Sequence, residues 1–103
     1  MGIAAELLVV AATIEPAVEK EWNEWYDNVH LPEVADCPGF LSAQRYVAEE
    51  PNGSRSYLSV YELKDAGALD SAEFAARRGW GPFAAQVKFK TLRYRRITPI
   101  EGR

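Results

Sequence analysis

The segment Ala5–Ile14 (AELLVVAATI) places the strongest constraint on the fold, because it is apolar on both alternations of a strand. Leu7, Val9 and Ala11 would face one side of a sheet, whereas Leu8, Val10 and Ala12 would face the other. A strand of this kind is buried on both faces. Each side of its sheet therefore needs a cover, from the same chain or from a partner.

A helix is predicted from about residue 16 to Val29 or beyond. Pro16 suits the first turn of a helix, and several acidic residues near it complement the positive end of the helix dipole. Pro32 should kink or end this helix, because it cannot donate a hydrogen bond to the carbonyl of Asn28. The hydrogen bonding of the helix backbone would then be interrupted next to His30.

Two strands and a hairpin are predicted after the Cys37–Gly39 turn. The strands are Phe40–Glu49 and Arg55–Leu63, and the Asn52–Gly53 pair between them is typical of a tight hairpin. The pair of strands should therefore be antiparallel.

A second helix is predicted to begin at Asp70 as its N-cap and to stop at Gly79. Val87–Ile97 then forms the last strand. The helix residues expected to face inward are Leu69, Ala72, Ala75 and Ala76.

The order of elements predicts an α+β, ferredoxin-like βαββαβ protomer, with residues 1–103 forming a single domain. Its four-stranded antiparallel sheet should carry two helices on one face. The chain supplies no third helix for the opposite face, so that face packs most simply on a second copy. We therefore predict a homodimer.

Composition excludes several classes of protein. The net charge of −3 argues against a nucleic-acid partner, although basic residues crowd the last strand. The apolar run Leu7–Ala12 lacks a basic leader and is too short to span a bilayer, so no membrane partner is expected. Cys37 is the only cysteine, which rules out an internal disulfide and favours a reducing, cytoplasmic location.

The one histidine of the chain is the first candidate for chemistry. Trp22, Tyr26 and His30 fall at positions i, i+4 and i+8, which places them along one stripe of a helix. His30 is also the one side chain whose ordinary pKa lies close to physiological pH, so it is a natural proton carrier. In the alternative interpretation, His30 is structural and caps the broken turn.

No metal or cofactor site is visible in the sequence. One histidine and one cysteine among scattered carboxylates lack the spacing of a zinc site. The chain also has no glycine-rich phosphate loop. We therefore predict no cofactor and no metal.

Residues 22–46 (WNEWYDNVHLPEVADCPGFLSAQRY) resemble the EthD-like group of the dimeric α/β-barrel superfamily. The similarity lies in the Trp-x-x-Trp-Tyr-Asp-x-x-His-x-Pro run, in Pro38-Gly39-Phe40 and in Arg45-Tyr46, and it extends through residues 57–63. The resemblance implies a ferredoxin-like protomer whose sheet pairs with its twin and which holds a pocket between sheet and helices.

The resemblance also implies roles for individual residues. It implies catalytic roles for His30, Tyr26 and Arg45, and a substrate-binding role for Trp22. Strand alternation independently places Tyr57, Ser59 and Tyr61 on one face, where hydroxyls can reach a bound carbonyl or fill a dimer interface. Trp80, in the glycine-rich RRGWGPF loop, can cover a pocket mouth. The expected substrate-binding residues are Trp22, Tyr57, Tyr61 and Trp80.

The function that these residues favour is cofactor-independent proton transfer on a small apolar or aromatic carbonyl ligand. The enzyme would be an isomerase, dehydratase or cyclase of a catabolic or polyketide-type pathway. His30 would be the general acid/base, and Arg45 or a tyrosine would stabilise the enolate. Three alternatives stay open: a cofactor-free monooxygenase, a non-catalytic protein that binds a hydrophobic ligand, and a haem protein with His30 as axial ligand.

Overall fold

The computed structural model describes residues 2–102, which form one antiparallel sheet with helices on one of its faces. The sheet order is β2-β3-β1-β4, with β1 in the centre between β3 and β4. The strands are β1 (Glu6–Ile14), β2 (Phe40–Glu49), β3 (Arg55–Leu63) and β4 (Val87–Arg95). This arrangement confirms the predicted ferredoxin-like protomer.

The helical segments lie between β1 and β2 and between β3 and β4. The first connection contains the 3₁₀ turn Pro16–Val18, α1 (Glu19–Trp25), a π turn (Tyr26–His30) and α2 (Leu31–Ala35). The second contains the 3₁₀ turn Ala66–Asp70, α3 (Ala72–Arg77) and the 3₁₀ turn Gly81–Phe83.

Of the two predicted effects of Pro32, a kink or an end of the first helix, the end is wrong, because the helix continues to Ala35. The chain accommodates the missing donor by widening one turn: the Leu31 N–H donates to the carbonyl of Tyr26, five residues back. Pro32 then falls in the first turn of α2, where its ring and its missing N–H are tolerated. The wide turn contains His30, and π turns of this kind are frequent at functional sites.

The cap and the register of the second helix also differ from the prediction. Ser71, and not Asp70, is the N-cap, since its side chain accepts a hydrogen bond from the Phe74 N–H at 3.0 Å. Phe74 and Ala68 are the buried residues. Three alanines predicted to face inward, Ala72, Ala75 and Ala76, are instead exposed, while Leu69 is half-buried.

The hairpin between β2 and β3 forms as predicted. The Glu50 N–H donates to the Ser54 carbonyl at 2.8 Å, which closes a three-residue loop. Gly53 in this loop has φ +87°, a left-handed conformation that favours glycine. The last strand is shorter than predicted, ending at Arg95 instead of Ile97.

The two faces of the sheet differ in burial. On the helix-covered face, Leu8, Val10 and Ala12 are at most 9% exposed. The cross-strand register places a second apolar set on the other side, which we call the open face. The large members of the open face are Leu7, Val9, Tyr46, Leu58, Val60, Leu92 and Tyr94. One protomer therefore covers only one face of β1.

Within residues 2–102, no helix is both long enough and apolar enough to cross a membrane.

Candidate functional site

A pocket of approximately 520 Å³ lies between the sheet and the helices. Strands β1 and β4 contribute apolar floor residues, α2 and α3 contribute further apolar wall, and few polar groups reach the interior. The apolar lining consists of Leu8, Val10, Val34, Leu69, Phe74, Ala75 and Phe89. The lining residues with polar side-chain atoms are Tyr26, His30, Tyr61, Arg78, Trp80 and Thr91. This combination is typical of sites for small, largely apolar molecules.

His30 lies in the pocket wall and is held there by aromatic rings. Its imidazole stacks on Trp25, with ring centroids 4.8 Å apart and planes 10° from parallel. Tyr26 meets the same ring edge-on at 5.0 Å. The residue is 6% exposed, so its orientation is fixed by packing.

The π turn explains why Trp25 contacts His30. On a regular α-helix, residues five apart point in different directions, because neighbours on one face are three or four apart. A turn closed by a hydrogen bond across five residues brings positions i and i+5 close together. The π turn thus makes Trp25 the stacking partner of His30.

The electrostatic environment favours the neutral form of His30. Burial lowers the pKa of the imidazole below its ordinary value, Arg45 lowers it further, and Glu33 partly opposes both effects. No hydrogen bond to the ring contributes to this pKa shift. A neutral imidazole facing an apolar pocket can accept a proton from a bound molecule.

The lowered pKa predicts how stability depends on pH. The unfolded chain binds the proton more tightly than the folded one, so stability should fall as pH drops below 6.5, the ordinary value, towards the lower folded value. The facing charges are Glu33 on α2 and Arg45 on β2. Urea unfolding at about pH 7.5 and about pH 5.5 should show this loss. His30→Gln should show a smaller loss, and equal losses in the two proteins would contradict the assignment.

A chain of three hydroxyls ends in the pocket. Ser59 Oγ donates to Tyr26 Oη at 2.8 Å, and Tyr26 Oη lies 3.2 Å from Tyr61 Oη. When Tyr26 donates its proton to Tyr61, the Tyr61 proton is left to point at a ligand. Burial and the neighbouring Tyr26 raise the pKa of Tyr61 far above its ordinary value, so this hydroxyl stays protonated. Tyr61 can therefore donate a hydrogen bond to a developing oxyanion.

Arg45, Trp22 and Tyr57, which were predicted as site residues, form a neighbouring cluster and do not line the pocket. The guanidinium carbon of Arg45 lies 4.2 Å from the ring centroid of Tyr26, 4.9 Å from that of Trp22 and 5.3 Å from that of Tyr57.

Polar contacts also hold this cluster in place. Arg45 donates to Asp27 Oδ1 at 2.7 Å and to Asn23 Oδ1 at 2.9 Å. Tyr57 Oη accepts a hydrogen bond from Asn23 at 3.0 Å and also bonds Glu19. Arg45 is therefore placed to hold the ring of Tyr26 from outside the pocket.

Trp80 lines the pocket from the loop that follows α3. Its ring lies 5.0 Å from Phe89 and 5.9 Å from Tyr26. Gly79 and Gly81 on either side have φ +113° and +53°. A Cβ at Gly81 would lie 2.9 Å from Cζ2 of Trp25, so the loop packs directly on the ring that supports His30. Trp80 is the predicted loop residue that the structure does bring to the pocket.

The sequence did not reveal several lining residues, among them Arg78 at the end of α3 and the β4 pair Phe89 and Thr91. Phe89 and Thr91 lie opposite Ala12 and Val10 of β1. Alternation along β4 could have indicated this pair, since Phe89 and Thr91 alternate with Lys88 and Lys90. The part of the chain that the structure describes has no group of three or more His, Cys, Asp or Glu side chains arranged to hold a metal ion.

The fold and its pocket are those of a ferredoxin-like protomer, the fold that the resemblance in residues 22–46 implied. The chain belongs to the family described as "Domain of unknown function (DUF4286)", which matches residues 6–77.

One curated relative matches almost the whole chain. The core atranone cluster (CAC) protein 1 of Stachybotrys chlorohalonatus is 26% identical over 109 residues. The match covers 97% of this chain and 47% of the relative, so the chain spans about half the length of that protein.

Solved structures show the same fold at low sequence identity. An EthD-family protein from Bacillus halodurans has a TM-score of 0.64 at 16% identity, covering 84% of this chain and 95% of its own. SnoaB, a cofactor-independent oxygenase from Streptomyces nogalater, has a TM-score of 0.65 at 17% identity, covering 96% and 100%. A dimeric ferredoxin-like protein from an uncultured marine organism has a TM-score of 0.67 at 14% identity, covering 92% and 96%.

Proposed function

We propose that this protein is a cofactor-independent enzyme that transfers a proton on a small apolar or aromatic carbonyl compound. The observation that carries the proposal is a neutral imidazole and a protonated phenol in the wall of one apolar pocket. Abstraction of a proton next to a carbonyl needs a base of moderate pKa and a donor for the enolate oxygen. His30 supplies the base and Tyr61 the donor.

The reaction follows from these two groups. A ring nitrogen of His30 removes a proton from the carbon next to the carbonyl, and the electron pair moves into the carbonyl oxygen. Tyr61 donates a hydrogen bond to that oxygen, while Ser59 and Tyr26 fix the direction of its hydroxyl. Return of this proton from His30 to another carbon gives an isomerisation. Transfer of the same proton to a β-hydroxyl, which then leaves as water while the enolate electrons form the carbon–carbon double bond, gives a dehydration. Arg45 is a positioning residue that holds the ring of Tyr26.

The proposal is tested by exchange of the carbon-bound proton for deuterium. We expect the protein to accelerate this exchange at the carbon next to the carbonyl of bicyclic aromatic ketones such as 2-tetralone. Proton NMR measures the rate of exchange. Exchange at the buffer rate across a panel of such ketones and β-diketones would reject the proposal and favour a protein that only binds its ligand.

Tyr61→Phe should lower the rate of this exchange by about 10²- to 10³-fold, because one hydrogen-bond donor to the oxyanion is lost. The change removes a single oxygen atom and keeps the ring that packs in the core. Tyr94→Phe is the matched control, since Tyr94 lies on the open face and is 49% exposed. Equal rates for the two variants would remove Tyr61 from the mechanism.

A cofactor-free oxygenase is the second candidate, since the cofactor-independent oxygenase SnoaB has the same fold. The same deprotonation would make the substrate electron-rich enough to react with oxygen. An oxygen electrode separates the two candidates: consumption of oxygen during turnover favours the oxygenase, and turnover under nitrogen favours the isomerase.

We also propose that the protein works as a homodimer in which two open faces pack together. Four large side chains of this face, Tyr46, Leu58, Leu92 and Tyr94, are 37% to 54% exposed in the protomer. An apolar patch of this extent marks an interaction surface. The dimeric relative from a marine organism supports a twofold assembly.

A further inference from the structure

Arg78 lines the pocket and has no role in the proposed reaction. Within the described chain it is the only permanently charged residue that lines the pocket, and no carboxylate lines it. The remainder of the lining is apolar, aromatic or hydroxyl-bearing. The residue is exposed, which places it at the mouth of the pocket.

Among residues 2–102, the side chain of Arg78 has no ion-pair partner, whereas the side chain of its neighbour Arg77 has one. Arg77 donates to the Glu33 carbonyl at 3.1 Å and lies 3.6 Å from Asp36 Oδ2. None of the ion pairs among residues 2–102 includes Arg78. The two adjacent arginines therefore have different surroundings: Arg77 is paired, whereas Arg78 lines the pocket and has no ion-pair partner within the described residues.

The backbone at Arg78 is fixed by a hydrogen bond and by the turn that follows it. Its N–H donates to the Phe74 carbonyl at 2.9 Å, and the chain then turns sharply at Gly79. Phe74, Ala75 and Trp80, on either side of this turn, also line the pocket. The guanidinium is therefore attached to a defined part of the pocket rim.

We propose that Arg78 binds the carboxylate of an amphipathic ligand whose apolar ring body fills the pocket. The carbonyl of that ligand would reach His30 and Tyr61, so the inference rests on the proposed function and narrows its substrate class to aromatic or alicyclic keto acids. Guanidinium groups bind carboxylates through two parallel hydrogen bonds, which fixes orientation as well as charge. The carboxylate at the rim would orient the ring body towards the base.

The expected contribution is modest because the guanidinium is exposed to solvent. A pair of this kind should change affinity about three- to tenfold at low ionic strength. The effect should shrink as salt is raised, because both charges are exposed to solvent and ions of the added salt screen their attraction.

The test compares a charged and a neutral probe of the same ring system, 2-naphthoate and its methyl ester. Dissociation constants are measured through quenching of tryptophan fluorescence, to which Trp80 in the pocket wall contributes. Arg78→Gln should weaken binding of 2-naphthoate about three- to tenfold and leave binding of the ester within about twofold. Arg77→Gln is the matched control and should leave both constants within about twofold.

Three results would overturn the proposal. In the first, the wild-type protein binds neither probe. In the second, Arg78→Gln weakens binding of 2-naphthoate and of its ester equally. In the third, Arg78→Gln and Arg77→Gln weaken binding of 2-naphthoate equally. Because binding needs no turnover, the outcome is separate from the exchange experiment. If Arg78 favours the charged probe but no proton exchange is found, the proposed enzyme activity is rejected and the carboxylate site is kept. If exchange is found but the charged probe is not favoured, only the role of Arg78 is rejected.

Discussion

His30→Gln is expected to lower the rate of carbon-bound proton exchange by about 10²- to 10⁴-fold, with the fold and the assembly intact. Glutamine is polar and close to histidine in size, so it can occupy the space beside Trp25 and Tyr26. Its amide cannot accept a proton at neutral pH. The loss should appear in kcat, because the interaction that disappears is made in the transition state.

Two comparisons separate a catalytic His30 from a structural one. His30→Ala should lose as much rate and should also lose stability, because it removes the ring stacked on Trp25. The wild-type rate should rise with pH through a value below 6.5, and this acidic limb should vanish from the residual rate of His30→Gln. The ordinary pKa of histidine would place the inflection of the pH–rate profile near neutral pH. Burial of the His30 ring moves the expected inflection to lower pH. Full turnover by a folded His30→Gln variant would reject the acid/base role.

The strands could be predicted well from the sequence because their signals are local. β2 and β3 begin and end at the predicted residues, since alternation and the Asn52–Gly53 pair define both strands and their connection. The order of elements then limits the topology to very few arrangements. The ferredoxin-like sheet follows from these steps.

The helices were harder to predict because their deviations depend on packing. The π turn at Tyr26–His30 replaces one ordinary turn ahead of Pro32, and no residue pattern distinguishes this solution from a simple break. The segment AEFAAR carries alanines on several sides, so it has no clear apolar stripe. Burial of the bulky Phe74 sets which face of α3 turns inward, and this orientation leaves Ala72, Ala75 and Ala76 exposed.

The candidate site was predictable only where the residues share one element or one face. Tyr26 and His30 share a helix stripe, and Tyr61 lies on the predicted face of β3. Arg45 was expected beside the base, but Asp27 and Asn23 bind it on the other side of the Tyr26 ring. Contacts between distant segments of this kind are set by packing, which strand alternation alone does not specify.

Leu58→Lys is expected to convert the proposed dimer, of twice the 11.5 kDa chain mass, into monomer or unfolded chain. Leu58 lies on the open face, opposite Ala11 of β1 and Tyr46 of β2, and is 37% exposed in the protomer. In a dimer with facing sheets, a lysine here would bury an unpaired charge, which costs several kcal/mol. Sedimentation velocity over a range of concentrations measures the change.

Val47→Lys is the matched control, because Val47 lies on β2 with its side chain on the opposite face and is 56% exposed. The same lysine should leave the mass at that of a dimer, since the charge at this position remains in water. Dissociation by both substitutions would indicate a general loss of stability, and a wild-type monomer at high micromolar concentration would reject the facing-sheet assembly. A dimer that survives Leu58→Lys would place the interface elsewhere, and the apolar open face would then need a different occupant.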